Sequence, residues 1–111
     1  MPRTVSFDWG TMDWLIEDSS HESPGFSLAR MVVHAGQRSE HHLHKTCHEA
    51  ITVTDGKCVL SIGQDTVQLQ APQTVFIPKG TSHAVDNTAG DTDVILLTTY
   101  SSGSRDYQPI S

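Results

Sequence analysis

Apolar and polar residues alternate with a period of two over short runs of this chain, and Gly, Pro, Asp and Asn divide the runs. FSLARMVVHAG (26–36) alternates and stops at its glycine. EAITVTDGKCVLSIG (49–63) holds two runs on either side of Asp55-Gly56, a dipeptide that predicts a hairpin. DTVQLQ (65–70) follows a second turn at Gly63-Gln64, and TVFIP (74–78) resumes after the break at Ala71-Pro72-Gln73. SHAVDNT (82–88) and TDVILLTTY (92–100) are the last predicted strands, separated by Ala89-Gly90-Asp91. No stretch sustains a helical period. The first 25 residues are less regular, with a short strand candidate in MDWLIEDS (12–19) and a loop in SSHESPG (19–25). SSGSRDYQPIS (101–111) has no apolar period and reads as a loosely ordered tail. Many short strands with Gly and Pro punctuation predict an all-β sandwich or barrel. The expected organisation is an N-terminal arm with strands over 1–25, a barrel over 26–100 and a tail over 101–111.

Length and charge narrow this. A chain of 111 residues makes one domain, and one of this size buries roughly 65% of the surface its unfolded form exposes. Seven basic residues against thirteen acidic ones give a net charge of −6 at pH 7. An acidic surface repels phosphate backbones, so no nucleic-acid partner is expected. No apolar run approaches the roughly 18 residues of a membrane span, and MPRTVSFDWG lacks a secretory leader's apolar stretch. The expectation is a cytoplasmic protein, with Cys47 and Cys58 as free thiols.

The chemistry concentrates in HHLHKTCHEA (41–50), which carries four of the chain's seven histidines, Cys47 and Glu49. On a strand, residues two apart share a face about 6.6 Å apart, so His42 and His44 aim two imidazoles at one point while His41 and Leu43 face away. Lys45 to Cys47 read as a turn, and Glu49 then shares a face with Ile51 and Val53. An isolated buried carboxylate costs several kcal/mol, which a cation held between it and the imidazoles offsets. In IPKGTSHAVDN (77–87), Pro78 and Gly80 make a turn and His83 opens the next strand. His83 meets His42 only where the sheet folds back on itself, as in a barrel or double-sheet roll. Spacing alone leaves a solvated histidine-rich loop as the alternative.

These two segments resemble the two motifs of the cupin superfamily. The first is a glycine, five residues, His-x-His, three or four residues, Glu, six residues and a glycine. Gly36, QRSEH, His42-Leu43-His44, KTCH, Glu49, AITVTD and Gly56 match it throughout. The second is a glycine, five residues, Pro-x-Gly, two residues, His, three residues and Asn. Pro78-Lys79-Gly80, TS, His83, AVD and Asn87 match it, with Pro72 in place of the leading glycine. The resemblance implies a small single-domain cupin, a jelly-roll (double-stranded β-helix) barrel with a metal inside one end. Carried over position by position, the implied ligands are His42, His44, Glu49 and His83. Small cupins commonly form homodimers, often through N-terminal strands; Trp9, Trp14 and the WLI run are candidates for that interface or, equally, for a lid within one subunit.

Three neutral imidazoles and one carboxylate leave a divalent ion with a net charge near +1. The set suits one divalent transition metal (Fe, Mn, Ni, Zn or Cu) and is too nitrogen-rich for Mg or Ca. A six-coordinate ion keeps two positions for a bidentate small-molecule ligand, such as a hydroxy-acid, enediol or diketone; a structural zinc is the alternative. The expected function is a metal-dependent enzyme acting on a small oxygenated molecule, either an oxygenase or a lyase or isomerase. The second reading is a binding module without turnover, and a third, a transcription-factor sensor domain, would need a DNA-binding partner. Alternation points His41 and His48 to the surface, puts Cys47 in the turn beside the ligands and assigns Cys58 to the core or, alternatively, to a pocket wall. Arg30, Val32 and His34 share one face. Turned inward, Arg30 would bind a substrate carboxylate; turned outward, it is solvated. Tyr100 and Arg105 lie where a tail can close a barrel mouth, and neither is assigned a role.

Overall fold

The computed structural model describes residues 3–19, 21–22 and 24–110. These form strands β1 (Arg3–Phe7), β2 (Gly10–Ile16), β3 (Ser27–Val33), β4 (His42–Leu43), β5 (Glu49–Asp55), β6 (Lys57–Ile62), β7 (Asp65–Gln70), β8 (Thr74–Ile77), β9 (His83–Asp86), β10 (Val94–Tyr100) and β11 (Gln108–Pro109). A six-stranded antiparallel sheet runs β1-β2-β3-β10-β5-β8, and a five-stranded one runs β11-β4-β9-β6-β7. The architecture is all-β, as the strand pattern predicts, and takes the jelly-roll form that the resemblance implied. No helix among the described residues is long and apolar enough to cross a membrane.

The two sheets enclose one core because each strand turns alternate residues inward. Ala29, Met31 and Val33 of β3, Ile51 and Val53 of β5, and Leu96 of β10 meet Leu60 of β6, Leu69 of β7 and Val85 of β9. The same alternation decides the orientation of Arg30. It faces outward, with its side chain 43% exposed and its Nη1 3.8 Å from Asp13, so it takes no part in an interior site. His34 is likewise exposed beside Asp93.

The hairpin predicted at Asp55-Gly56 does not form. β5 pairs with β10 and β8, whereas β6 pairs with β7 and β9. Only Gly56 separates the two strands, and one residue is too short for a hairpin loop. The glycine, at φ +86°, instead turns the chain from one sheet to the other. A Cβ there would lie 3.3 Å from the Asp93 carbonyl oxygen. The hairpin sits one turn later, at Gly63-Gln64, where Ile62 pairs with Asp65.

Both ends of the chain are more ordered than their patterns suggest. β1 and β2 form a hairpin that extends the larger sheet beyond β3. Met12 and Trp14 of β2 are each 4% exposed, so Trp14 is a core residue and drops out as an interface candidate. Trp9, in the β1–β2 turn, is half-buried and stacks on Phe7 with centroids 4.5 Å apart. The tail is not loose. Ser101 N donates to His48 O, Asp18 N to Gly103 O and Ile110 N to His41 O, and β11 pairs with β4. Backbone hydrogen bonds fix it, so it needs no apolar face and shows no apolar period.

Candidate metal centre

The site is built where the smaller sheet meets the first residue of β5. His42 of β4 pairs directly with His83 of β9. His44 follows two residues later on the same face, and Glu49 enters from the opposite sheet, paired with Tyr100 and Ile77. The spacing in the sequence thus brings together all four residues singled out there. Their exposures are 8% for His42, 2% for His44, 4% for Glu49 and 2% for His83. One ligand atom from each lies within 4.8 Å of the others.

Each imidazole is held by a main-chain carbonyl. Nδ1 of His42 is 2.7 Å from Glu40 O, that of His44 2.6 Å from Asp106 O, and that of His83 3.0 Å from Thr81 O. A carbonyl only accepts, so every Nδ1 carries a proton and donates it. In the neutral ring this leaves Nε2 as a bare lone pair. Glu49 Oε1 lies 3.2 Å from His44 Nε2 and 2.8 Å from His83 Nε2. Those distances would allow a shared proton, but all three atoms lack a hydrogen-bond partner of proper direction and are sealed from solvent. Buried lone pairs converging without donors are costly in protein alone. A divalent cation relieves all of them at once, so the donor set fits a metal.

The electrostatics hold His42 and Glu49 in the forms a metal needs. Burial, aided by the neighbouring His83, pushes the pKa of His42 down to about 4 and keeps it neutral. Burial pushes Glu49 up, but His44 and His83 outweigh it and hold the carboxyl at about 2. Burial lowers His83, yet the adjacent Glu49 carboxylate more than offsets this and raises it overall.

The family follows from the whole chain. The cupin domain model matches residues 29–100. The chain belongs to the cupin family. A relative from Methanocaldococcus jannaschii, itself uncharacterized, is 25% identical over 96 residues, 86% of this chain and 77% of the relative. A solved cupin-2 domain protein from Rhodospirillum rubrum superposes with a TM-score of 0.85 at 16% identity, over 99% of this chain and 76% of that one. The oxalate decarboxylase of Lactobacillus farciminis superposes with a TM-score of 0.85 at 20% identity, over 98% of this chain. This chain spans only 33% of that decarboxylase. At such identities the likeness concerns the fold.

In this cupin the two motifs are stitched together by the backbone. Gly80 N donates to His44 O at 2.6 Å, Gly36 N to Asn87 O at 3.0 Å and Asn87 N to Gln37 O at 2.9 Å. The turn at Ala71-Pro72 is made despite the missing glycine, with Ala71 N donating to Gly56 O. His41 and His48 are exposed as expected, and His48 Nδ1 accepts from Lys79 N. Cys47 is buried beside His44 and Asp106, its thiol pushed up first by burial and then by Asp106. Cys58 is buried in the core, its thiol pushed up to about 11.

The tail supplies what the sequence pattern left unassigned. Tyr107 stacks on His42 with centroids 4.5 Å apart, and its hydroxyl donates to the Glu40 carboxylate. Tyr100 presents its ring to His44 at 5.1 Å. The Asp106 carboxylate accepts from Lys45 N, Thr46 N and Thr46 Oγ1, tying down the turn that follows His44. Arg105 and Tyr107 help close a cavity of about 20 Å³ over the ligands, room for about one water. The one signal in the sequence was the cluster Arg105-Asp106-Tyr107 in an otherwise Ser- and Gly-rich tail.

Proposed function

We propose that this cupin is a metal-dependent enzyme acting on a small oxygenated molecule, with one divalent transition metal held by His42, His44, Glu49 and His83. The carrying observation is the fixed tautomer of three imidazoles, each Nδ1 spent on a carbonyl while the other ring nitrogens converge on Glu49. An ion in that set would act as a Lewis acid that polarises a ligand carbonyl, or, if redox-active, would support oxygenase chemistry. The protein's own contribution is orientation and exclusion of water. Backbone carbonyls fix the rings, Glu49 supplies the single negative charge, and Tyr100, Tyr107 and the apolar Met12 and Met31 wall the cavity. The metal set serves a lyase or isomerase as readily as an oxygenase.

Elemental analysis of the purified protein, alone and as His44→Ala, tests the assignment. The expected result is about one metal per wild-type chain and a sharp loss in a variant that still folds; unchanged metal content would refute it. Iron would favour the oxygenase, and zinc or nickel the lyase or isomerase. The small cavity favours a second reading, a metal or ligand module without turnover, which constant substrate concentrations over time would support. The proposal includes a cytoplasmic homodimer paired along β1, the outer strand of the larger sheet, where Phe7 is exposed.

A further inference from the structure

Arg105 lies after β10, outside the region matched to the family. Its guanidinium sits over the rings of Trp14 at 4.8 Å, Tyr107 at 5.1 Å and Tyr100 at 5.4 Å. No carboxylate among the described residues forms an ion pair with it. Its Nε is buried without a hydrogen-bond partner, and its Nη2 donates to the Met12 thioether at 4.0 Å. Aromatic faces attract the charge of a guanidinium but take none of its five in-plane N–H donors. Arg105 is therefore a cation preset in an aromatic box, with no oxygen acceptor on its fork among the described residues.

Its position adds to this. Arg105 lines the small cavity over His42, Glu49 and His83. It also lines an open pocket of about 280 Å³ on the surface, with Arg3, Trp14, Glu17, Asp18 and Gly103. It is the one described residue common to both, so it stands at the threshold between them. Glu17 in the outer pocket is already taken by Arg3, through bonds of 3.1 and 2.9 Å. Asp18 adds a second negative charge there, so of the two cations that line this pocket Arg105 is the one without an ion pair. A divalent ion with Glu49 and three neutral imidazoles carries about +1, and Arg105 brings the pair to about +2.

We propose that Arg105 determines specificity by anchoring a carboxylate, so that the ligand of this cupin is a small carboxylic acid with a second oxygen donor directed at the metal centre. A planar guanidinium holds a carboxylate through two parallel N–H···O bonds, a fit that a lysine ammonium does not reproduce. The second oxygen donor rests on the metal reading above; the carboxylate rests on Arg105 itself.

Calorimetric titration of the protein as purified tests this. The probes are lactate and acetate, against propane-1,2-diol, the neutral counterpart of lactate on the same three-carbon skeleton. Arg105→Gln and Arg105→Lys are titrated alongside, with metal content and thermal melting measured for each. The wild type should take lactate at least tenfold more tightly than the diol. Arg105→Gln should lose that preference, Arg105→Lys should fall between, and metal content should stay unchanged. Lactate binding by a folded Arg105→Gln protein within twofold of wild type would overturn the inference, as would a wild type that prefers neither anion to the diol. Should Arg105→Gln fail to fold, Arg105→Lys decides, and a change under twofold overturns the inference. A wild type that carries no metal but binds lactate through Arg105 would sink the metal reading and leave this one standing.

Discussion

Asp106→Ala tests whether the tail is part of the metal centre or merely lies beside it. The wild-type carboxylate accepts from Lys45 N at 2.6 Å, Thr46 N at 3.0 Å and Thr46 Oγ1 at 2.6 Å. Its main-chain oxygen accepts from His44 Nδ1 at 2.6 Å. The substitution removes the first three bonds and leaves the fourth without the anchor that positions it. Each bond contributes about 0.5–1.5 kcal/mol net. The groups are exposed, so water replaces the lost acceptor and the sum belongs at the low end, about 2 kcal/mol. In a domain of this size that is a fall in melting temperature of roughly 8 °C. Loss of a partner that orients a ligand imidazole typically costs about 10- to 100-fold in metal affinity. Thermal melts and titration of metal against a competing chelator measure the two effects separately. The pH dependence gives a further check. Burial pushes the Asp106 carboxyl up, but the bonds from Thr46 and Lys45 outweigh this and hold it at about 2, below its ordinary 3.8. A group with a depressed folded-state pKa stabilises above its unfolded value and loses that contribution as pH falls through the folded one. The gap in stability between wild type and variant should therefore be full above pH 3.8 and close toward pH 2. Metal affinity within twofold of wild type would refute the claim that the tail positions His44. An unchanged melting temperature would refute the claim that it is anchored at Lys45 and Thr46.

Stripping the metal with a chelator should lower the melting temperature. Free metal at one hundred times its dissociation constant contributes about 2.7 kcal/mol, and a melt that does not respond to metal would contradict a site in the native state. Metal affinity should weaken on acidification. Burial lowers His83, but Glu49 offsets this and raises it above 6.5, so below that raised pKa a proton competes for Nε2. Titrations across pH 5 to 8 should show affinity falling by about tenfold per unit on the acid side, and a flat profile would argue against His83 as a ligand. Trp14→Ala should cost about 3–5 kcal/mol in urea unfolding, because Trp14 is buried beneath Arg105 in the core; a loss under about 1 kcal/mol would return Trp14 to the list of interface residues.

Much of the site was legible because strand alternation and ligand geometry share a period of two. His42 and His44 on one face, and Glu49 in phase with Ile51 and Val53, follow from side-chain direction alone. The orientation of Arg30 was open because a period says which residues share a face and not which face turns inward. Packing decides that, and here Ala29, Met31 and Val33 form the buried set. The sheet of each strand was not legible either. Asp55-Gly56 carries a strong turn signal, yet a left-handed glycine serves a hairpin and a corner equally well, and only the single-residue gap between β5 and β6 separates the two. Asp106 and Tyr107 were missed, and Arg105 was placed at the barrel mouth without a role, because their contacts are polar or aromatic and reach back to residues 12 to 46, distances in sequence that no local pattern records.

The three imidazoles are not fixed in the same way. His42 and His83 each donate to the carbonyl two residues before them, Glu40 and Thr81. Those bonds are closed within one strand and the turn leading into it, so they persist wherever the barrel is folded. His44 donates to a residue 62 positions away, at the far end of the chain. Its orientation is only as secure as the docking of the tail, which rests on Asp106 at the Lys45–Thr46 turn, on the pairing of β11 with β4 and on the stack of Tyr107 on His42. A disturbance of the tail should therefore loosen one ligand of four and leave the other two imidazoles and Glu49 in place. This is why Asp106→Ala is expected to weaken metal binding without abolishing it, whereas His44→Ala removes the donor itself. It also links the two roles of the tail, since the segment that holds His44 carries Arg105 to the threshold of the cavity on the residue immediately before Asp106.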